Sequence, residues 1–402
     1  MLDRSELIQT LKQASKEKVV LLVLDGVGGL QKDGKTELEA AKTPVMDSLA
    51  RISETGLLVP IMQGITPGSG PGHLALFGYD PLKYVIGRGI LSALGVKFPI
   101  QHGDLAARVN FATIDNKGNI TDRRAGRIPD EVNRKMCEKV REITLPGAEF
   151  FIETEKEHRA ALVFRGADFS ENISETDPQK TGVPPLEAKP LDGSKKAQDT
   201  AKLVNSFLSN IKETLKNEHP ANMILLRGFA LHTRIPSFQE LYGMSACAIA
   251  GYPMYRGLAR LVGMDVIEVE SGVEPEFKKL KDLWGKYDFS FVHIKYTDSA
   301  GEDGNFERKI SVIEQVDQSL ATILDLKPDV LVITGDHSTP SLYKAHSWHP
   351  VPVLLRSRWS RHSSVEGFNE RELQRGSFGV MNTLDLMTLM LAHSGRLAKF
   401  GA

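Results

Sequence analysis

The sequence predicts an α/β protein built on a doubly wound, mostly parallel sheet that is interrupted by a smaller inserted α/β domain. Three short apolar runs, at residues 19–24, 289–294 and 330–334, have the β-branched and Leu-rich composition of buried parallel strands. Segments with helical periodicity alternate with these runs, which favours a doubly wound sheet over an all-β fold. The long interval between the first and second runs predicts a middle section that leaves the sheet and returns to it.

Helix signals stand at several places along the chain. Thr43-Pro44 has the form of an N-cap followed by proline at the first helical position. Residues 307–324 repeat an apolar stripe that includes Ile310, and residues 382–392 are apolar enough to be well buried. Residues 1–18 are polar and charged, so we expect a short surface helix there rather than a signal peptide, which needs an apolar centre.

The middle section carries secondary-structure signals of its own. Residues 105–115 and 160–166 have the pattern of strands, and residues 200–215 have the pattern of a helix. The stretch 174–196 is rich in Pro, Gly and charge, and we expect a long loop, which at that length is usually functional or mobile. The expected domains are residues 1–75 with 236–402, and an inserted domain of residues 76–235.

Composition narrows the classes of protein to which the chain can belong. Its 402 residues suggest about two to three domains, and 41% hydrophobic with 25% charged residues is ordinary for a globular protein. The net charge of -1 gives no reason to expect nucleic acid or a membrane as a partner. Cys137 and Cys247 are too few for a disulfide framework, so a reducing, cytoplasmic location is expected.

Polar side chains follow each of the three strand-like runs. Asp25-Gly26 comes after the first, Lys295 and Asp298 after the second, and Asp336-His337 after the third. Open α/β sheets bind ligands at the carboxyl ends of their strands. Burying Asp336 and His337 there is costly unless they are paired or coordinate a metal ion. An Asp-Gly pair considered alone is as often part of a structural turn as part of a functional site.

The most distinctive local segment is TPGSGPGHLALFGYD at residues 66–80. Its glycines allow backbone donors to approach an anion closely, and a helix that begins there adds a favourable dipole. Ser69 in this loop is a candidate nucleophile. The alternative is a tight turn with a solvent-exposed serine.

Together these side chains match one kind of chemistry. Each of two sets can surround a divalent cation, and two such ions can clamp the attacking and leaving oxygens of an in-line displacement. A serine that contacts such an ion needs no neighbouring base, and phosphoryl transfer depends mainly on positioning and charge neutralisation. The first set is Asp25, Ser69, Asp336 and His337, and the second is Asp298, Glu302 and His346.

The order of these motifs resembles the alkaline phosphatase superfamily and, more closely, the archaeal-type cofactor-independent phosphoglycerate mutases. The resemblance covers nearly the whole chain. It rests on GSGPGHLALFGYDP (68–81), IGRG (86–89), DRRAGRI (122–128), LLRG (225–228), HIKYTDSAGEDGNFERK (293–309) and AHSWHPVP (345–352). A fold of alkaline phosphatase type is therefore implied for the main domain.

The resemblance implies that Ser69 is transiently phosphorylated during interconversion of 3-phosphoglycerate and 2-phosphoglycerate. It makes Asp25, Asp336 and His337 the metal partners of the serine and places Asp298 and His346 at the other ion. Two divalent cations are implied, with Mn²⁺ the first choice and Mg²⁺ the second, and 2,3-bisphosphoglycerate is not expected as a cofactor. The inserted domain resembles the family's transferase domain, which holds the glycerate.

Arginines are the natural partners of a substrate that carries both carboxylate and phosphate, because the guanidinium fork binds each bidentately. In DRRAGR these are Arg123, Arg124 and Arg127, with Asp122 as a candidate proton carrier between the glycerate hydroxyls. The alternative for such a run is a solvated face. Further substrate-binding candidates are Arg227, Arg256 and His73, of which His73 either contacts phosphate or orients the serine loop.

The chain departs from the family pattern at a few positions. Where family members carry DxxGH, this chain has Glu302 in place of the histidine, and Trp348 and His349 replace small and acidic or amide residues. We expect Glu302 to be a metal ligand. The rival hypotheses are a phosphatase or phosphodiesterase of the same superfamily, and a diverged binding protein without catalysis. The motifs encode neither the metal's identity nor the oligomeric state.

Overall fold

The computed structural model describes residues 4–232 and 235–401, and in it the chain divides into two compact units. The divisions fall after Val85 and before Ile235. We call residues 86–234 the insert unit and the remainder the large unit. The first division lies later than the expected position 75, because Phe77 and Tyr79 are buried in the large unit. Phe77 packs against Phe291 there, with ring centroids 4.9 Å apart.

The strands and helices of both units are numbered together along the chain. The strands are β1 (Val19–Leu24), β2 (Glu54–Val59), β3 (Leu105–Ile114), β4 (Ile120–Asp122), β5 (Glu149–Lys156), β6 (Arg159–Arg165), β7 (Met223–Leu231), β8 (Ala246–Ala250), β9 (Asp265–Ile267), β10 (Phe289–Ile294), β11 (Val330–Thr334), β12 (Val351–Ser357) and β13 (Gly379–Asn382). The helices are α1 (Arg4–Leu11), α2 (Glu37–Ala40), α3 (Pro44–Arg51), α4 (Ser69–Leu76), α5 (Arg88–Gly95), α6 (Asp130–Arg141), α7 (Lys195–Leu215), α8 (Phe238–Tyr242), α9 (Pro253–Leu261), α10 (Val273–Asp282), α11 (Tyr296–Glu302), α12 (Phe306–Ser319), α13 (Ala321–Leu324), α14 (Glu370–Leu373) and α15 (Leu384–His393).

The large unit is built on an eight-stranded mixed sheet with the order β13-β2-β12-β11-β1-β10-β8-β9. The three apolar runs predicted as buried strands are β1, β10 and β11, and this prediction is confirmed. β1 lies between β10 and β11 and is parallel to both. β12 runs antiparallel to β11 and to β2, so the sheet is parallel only in part.

The register of the central strands brings their carboxyl ends to one edge. Leu24 at the end of β1 is paired with Ile294 at the end of β10, and Val23 is paired with Thr334 at the end of β11. The polar residues that follow each strand therefore emerge side by side. This edge is where the sequence predicted a binding site.

Two helix predictions need comment. Proline is at the first position of α3 with Thr43 as its N-cap, as expected. The helix expected over 307–324 is divided into α12 and α13, and its buried face carries Lys309, whereas Ile310 is only half-buried. The predicted stripe is otherwise confirmed, because Ile313, Val316, Leu320 and Ile323 are buried.

The insert unit is a five-stranded antiparallel sheet with α5, α6 and α7. β3 is its central strand and pairs with β4, β6 and β7. Alternate β3 residues from Leu105 to Phe111 pack with α6 and α7 in one apolar core. The predicted strands at 105–115 and 160–166 correspond to β3 and β6, while α7 begins at Lys195, five residues before the predicted start.

The stretch expected to be a long loop is an irregular segment up to residue 194 and packs against the sheet of its own unit. Thr176 exchanges hydrogen bonds with the backbone of Leu226 in β7, and Thr176 is fully buried. Among the described residues, no helix is long and apolar enough to span a membrane. Cys137 and Cys247 are both buried free thiols.

Candidate active site

Asp25 follows β1 directly and is fully buried. Its Oδ2 accepts hydrogen bonds from Tyr255, from His293 Nε2 at 3.1 Å and from Lys295 Nζ at 3.3 Å. Its Oδ1 has no hydrogen-bond partner and lies 3.3 Å from His337 Nε2. Burial alone would raise the pKa of Asp25, but the bond from His293 and the charges of Lys295 and His337 outweigh it, so the pKa lies well below its usual value.

The two carboxylate oxygens of Asp336 likewise differ in their hydrogen bonding. Oδ1 accepts from the backbone N–H of Gly26 at 3.2 Å. Oδ2 is buried without a hydrogen-bond partner and lies 3.1 Å from His337 Nε2. We call a carboxylate oxygen without a hydrogen-bond partner bare. One bare oxygen of Asp25 and one of Asp336 thus face the same imidazole nitrogen, His337 Nε2.

Thr339 determines which nitrogen of His337 carries the proton. Its hydroxyl donates to Asp298 Oδ1 at 2.6 Å, so it can only accept at its 3.0 Å contact with His337 Nδ1. Nδ1 is therefore protonated, and in the neutral form of the ring Nε2 is the nitrogen with the lone pair, beside Asp25 and Asp336. A hydrogen-bond partner on the other ring nitrogen commonly fixes the tautomer of a metal-binding histidine in this way.

Ser69 is the first residue of α4, with Gly68 as the N-cap. Its Oγ lies 3.3 Å from His337 Nε2 and so joins the two bare carboxylate oxygens. The loop approaches the third strand end very closely, because a Cβ at Gly72 would lie 2.5 Å from the Asp336 carbonyl oxygen. The Gly-rich sequence thus serves close approach as well as helix initiation.

His73 lies one turn after Ser69 on α4 and is fully buried. Its Nδ1 is 2.8 Å from the Ser69 carbonyl oxygen and 3.1 Å from Asp336 Oδ2. Burial lowers the pKa of His73, but the Asp336 carboxylate outweighs it and the pKa is raised. Of the two roles considered for His73, these contacts favour orienting the serine loop.

The second predicted metal set is only partly assembled. Asp298, His337 and His346 place potential ligand atoms within 4.8 Å of one another, and the rings of His337 and His346 stack with centroids 3.6 Å apart. His346 Nδ1 contacts the Pro67 carbonyl oxygen at 3.0 Å, which leaves Nε2 free toward Asp298 at 3.6 Å. Glu302 lies 3.9 Å from His346 Nε2, but its side chain is 54% exposed and it is outside the compact group.

Lys295 lies between the two sets and contacts a carboxylate of each. Its ammonium donates to Asp25 Oδ2 and to Asp298 Oδ2. Burial would lower the pKa of Lys295, but the two carboxylates raise it above its usual value. Asp298 Oδ1 accepts from the Thr339 hydroxyl, so both carboxylate oxygens of Asp298 accept hydrogen bonds from the protein. The second set therefore offers fewer unpaired carboxylate oxygens to a metal ion than the first.

Lys309 holds the loops of the site together from within the core. Its fully buried ammonium donates to the carbonyl oxygens of Gly26, Gly28 and Thr339 at 2.9 to 3.0 Å. Glu37, also fully buried, lies 3.8 Å away and balances the charge. All three ammonium protons are used, which is the condition under which a buried cation is tolerated.

The first set fits a divalent cation on the chemistry of its donors. Two buried carboxylate oxygens without hydrogen-bond partners, the Nε2 atom of His337 and a serine oxygen converge within hydrogen-bond distances. Carboxylate and imidazole ligands suit manganese, magnesium and zinc. The convergence of bare anionic oxygens is costly without a cation, which is the physical argument for one.

In the insert unit, two predicted clamp residues are already paired with acidic side chains. Arg123 binds the buried Asp177 bidentately, with Nε and a terminal nitrogen at 2.9 and 2.7 Å from its two oxygens. Arg227 contacts Glu175 at 3.3 Å and Asp177 at 3.7 Å. The long loop therefore supplies carboxylates to the predicted clamp.

The remainder of DRRAGR forms a tight turn around Asp122. One carboxylate oxygen of Asp122 accepts from the Arg124 N–H at 2.8 Å and the other from the Gly126 N–H at 2.7 Å. Arg124 and Arg127 are exposed. These contacts give Asp122 a structural task in the turn, and its role as a proton carrier stays a prediction.

The sequence analysis assigned no role to several residues of the large-unit site. Tyr255, His293 and Lys295 surround Asp25, and Lys309 supports it from below. Lys295 follows a buried strand directly, and a lysine at such a position is expected to pair with an acidic side chain. Tyr255 precedes Arg256 on α9, so the only candidate singled out on that helix was its neighbour.

Comparisons with known proteins agree with one another, and the relatives match over nearly the full chain. A family model described as 2,3-bisphosphoglycerate-independent phosphoglycerate mutase matches residues 50–222. A Thermus thermophilus protein named "probable 2,3-bisphosphoglycerate-independent phosphoglycerate mutase" is 50% identical over 408 residues, covering all of both chains. An Aquifex aeolicus protein with the same name is 50% identical over 99% of this chain and all of its own.

Solved structures give the same result. A cofactor-independent phosphoglycerate mutase from Thermoplasma acidophilum is 30% identical and aligns with a TM-score of 0.74 over 94% of this chain and all of its own. A Pyrococcus horikoshii protein is 31% identical, with a TM-score of 0.82 over 97% of this chain and all of its own. Identity of about one residue in two with full-length relatives shows that the chain belongs to the 2,3-bisphosphoglycerate-independent phosphoglycerate mutase family.

Proposed function

We propose that this chain interconverts 3-phosphoglycerate and 2-phosphoglycerate through a phosphorylated Ser69, in the cytosol and without 2,3-bisphosphoglycerate. The observation that carries the proposal is the position of Ser69 Oγ, 3.3 Å from His337 Nε2 and next to the bare oxygens of Asp25 and Asp336. The names of the full-length relatives support the same reaction. The mixed sheet with its site at the strand ends supports a main domain of alkaline phosphatase type.

Two divalent cations fit the proposal, with manganese preferred and magnesium second. When bound, they supply neutralisation of the charge that develops on the phosphoryl group and the serine oxygen. Carboxylate-rich sites favour these hard ions over softer ones. The residues that would hold the first ion are Asp25, Ser69, Asp336 and His337, and those for the second are Asp298, Glu302 and His346.

The residues of the chain perform the group transfer in two balanced halves. Ser69 loses its proton, its Oγ forms a bond to phosphorus, and the bond from phosphorus to the C3 oxygen of the substrate breaks. The C3 oxygen then takes up a proton. In the second half the C2 oxygen gives up a proton and attacks phosphorus, and Ser69 Oγ leaves and is protonated again. His73 and Gly72 hold the serine at the strand ends throughout.

Retention of the glycerate between the two halves distinguishes a mutase from a phosphatase, because water would otherwise resolve the phosphoserine. We assign this retention to the insert unit, as a transferase domain. The candidate contacts are the clamp predicted from the sequence, Arg123, Arg124, Arg127 and Arg227, with Arg256 on the large unit. The backbone bonds of Asp122 support a role in shaping the arginine turn.

The test is to incubate purified protein with 3-phosphoglycerate and Mn²⁺, without 2,3-bisphosphoglycerate, and to follow 2-phosphoglycerate and free phosphate together. Conversion without phosphate release is the expected result. Release of phosphate alone would instead identify a phosphatase. Neither product, with metal bound, would identify a binding protein and would overturn the proposal.

A further inference from the structure

Glu276 on α10 is a buried acidic residue that lies outside the candidate active site. The residue is 2% exposed, and its Oε1 accepts a hydrogen bond from the backbone N–H of Gly251 at 2.9 Å. Its Oε2 is buried and has no hydrogen-bond partner. A glutamate is rarely buried without a paired cation or a full set of hydrogen bonds, so the bond to Gly251 calls for an explanation.

The segment that leads into α10 also packs against Gly251. A Cβ at Gly251 would lie 2.0 Å from Ser271 Oγ and 2.4 Å from Ser271 Cα, so only glycine allows this contact. The Ser271 carbonyl oxygen accepts from the Tyr296 hydroxyl at 3.1 Å, and Tyr296 directly follows Lys295. Residues 271–276 therefore contact both the turn after β8 and the start of α11.

The turn after β8 leads directly to a hydrogen bond of the candidate active site. Gly251 follows β8, and α9 begins two residues later with proline at its first position. One helical turn after Gly251 lies Tyr255, whose hydroxyl donates to Asp25 Oδ2. The Tyr255 ring also stacks on His293, with ring centroids 3.7 Å apart, and His293 donates to the same oxygen. A shift of the turn would therefore move the Tyr255 hydroxyl relative to Asp25.

The Glu276 carboxyl is largely uncharged near neutral pH. Burial raises its pKa to about 8, and the backbone hydrogen bonds of Gly251 and Gly272 offset that effect only in part. An uncharged carboxyl group and a side-chain amide have nearly the same shape, so glutamine can replace Glu276 and still accept from Gly251. Leucine has a similar volume and offers no acceptor.

We propose that Glu276 is a positioning residue of the active site, which fixes the turn between β8 and α9 and so holds the Tyr255 hydroxyl on Asp25 Oδ2. The proposal rests on the proposed function, because that function places a divalent cation at the bare Oδ1 of Asp25. With Oδ2 held by its hydrogen-bond donors, the carboxylate keeps the orientation in which Oδ1 faces His337. Glu276 thus acts on the metal site through Tyr255, without contacting it.

The decisive variant is Glu276→Leu, which removes the acceptor for Gly251 and keeps the volume of the side chain. We expect Mn²⁺ affinity in titration calorimetry to fall roughly tenfold, the lower end for groups that orient metal ligands. In the metal-free protein, hydrogen exchange of the backbone amides of residues 251–256 should become faster. Glu276→Gln should keep wild-type values of both, and so should Glu274→Leu, the same change on the exposed side of α10.

A double-mutant cycle tests whether Glu276 acts through Tyr255. Tyr255→Phe removes the hydroxyl, so the double variant with Glu276→Leu should bind Mn²⁺ no more weakly than Tyr255→Phe alone. Additive losses of affinity would overturn the proposal. Wild-type affinity in Glu276→Leu, or an equal loss in Glu276→Gln, would do the same.

Gly251→Ala is a second variant for the case in which Glu276→Leu does not fold. A Cβ there displaces the turn from Ser271 while Glu276 is unchanged. It should lower Mn²⁺ affinity to a similar extent, and wild-type affinity would again overturn the proposal. Failure of the proposed function alone would appear as Mn²⁺ binding by the wild-type protein without formation of 2-phosphoglycerate. Absence of Mn²⁺ binding by the wild-type protein would overturn both.

Discussion

The strand ends of the large unit and one face of the insert unit's sheet differ in how their charged side chains are arranged. That face carries Arg108 on β3, Arg159 on β6 and Arg227 on β7, and we call it the arginine face. At the strand ends, Asp25 Oδ2 alone receives three hydrogen bonds, and only the oxygens directed at His337 are bare. On the arginine face, Arg108 Nε is buried with no hydrogen-bond partner, and the charge of Glu155 offsets the neighbouring arginines only in part, so burial and the other arginines still lower the pKa of Arg108. The first region is organised by hydrogen bonds between its own side chains, whereas the second keeps like charges next to one another.

This difference predicts different consequences of mutation. A residue at the strand ends helps to position its neighbours around the serine and the metal site. Its loss should therefore affect the rate of turnover or the metal affinity. A residue on the arginine face has like charges as its neighbours, so its loss should leave the free protein as stable as before.

The largest effect is expected for Ser69→Ala, which removes the nucleophile. We expect turnover to fall by about four orders of magnitude or more. Metal content and the circular dichroism spectrum should not change, because the bare carboxylate oxygens and His337 remain. Ser48→Ala is the matched control, since the Ser48 hydroxyl bonds only its own helix at the Pro44 carbonyl. Substantial mutase activity in Ser69→Ala would show that the phosphoserine route is wrong.

A smaller effect is expected for Thr339→Val, which removes the hydroxyl that sets the tautomer of His337. Metal affinity measured by calorimetry should fall roughly 10- to 100-fold, as it does when outer-shell partners of ligating histidines are lost. Thr339→Ser keeps the hydroxyl and should restore affinity. If Val and Ser variants lose affinity equally, the methyl packing matters and the hydroxyl does not.

Substitution of Glu302 tests whether this residue contributes to metal binding by the second set. Its exposure leads us to expect only about a tenfold loss of affinity at one metal site in Glu302→Ala, the lower end of the range for supporting groups. Glu302→His should restore binding with preference moved toward Co²⁺ or Zn²⁺, because nitrogen is the softer ligand. Glu307→Ala, on the exposed side of α12, is the control. Full metal content in Glu302→Ala would remove Glu302 from the site.

The smallest effect concerns His158, a buried residue in the turn before β6. Burial, with the charges of Arg159, Arg124 and Arg127, lowers its pKa to about 4 from the ordinary 6.5. The unfolded chain therefore takes up a proton near pH 6.5 and the folded chain only near pH 4, so the free energy of unfolding falls as pH is lowered through that window.

Imidazole NMR titration measures the pKa of His158. A pKa near the ordinary 6.5 would contradict the combined effect of burial and of the three arginines, which outweighs the charge of Glu157.

Local sequence predicted the parts of this molecule that depend on local interactions. β1, β10 and β11 are continuous apolar runs, and the residues after them had to meet at one edge once the strands were parallel. Asp25, Ser69, Asp336 and His337 could therefore be named as candidates from the sequence, and the structure brings them together. Glu302 could be named but its exposure could not be foreseen, since it depends on how α11 turns.

The residues that escaped prediction owe their roles to distant partners. Lys309 is a charged residue on a helix, which usually means a solvated surface, and only the carbonyls of residues 26, 28 and 339 make it a core residue. Arg108 faces Arg227 through a β3–β7 register that spans more than a hundred residues of chain. Cross-strand register of this kind has no local sequence signal.

The discontinuity of the large unit has a consequence for how the protein is made. β1 is apolar along its whole length, and its two neighbours in the sheet are β10 and β11, both encoded after the insert unit. At ribosomal speeds of about 5–20 residues per second, roughly 260 residues must be added after β1 before either partner emerges, a delay of about 13–50 seconds. During that interval the nascent chain carries an unpaired hydrophobic strand while the insert unit can already fold. Production of the protein is therefore expected to depend on chaperones that shield β1, more strongly than its final content of ordered structure would suggest.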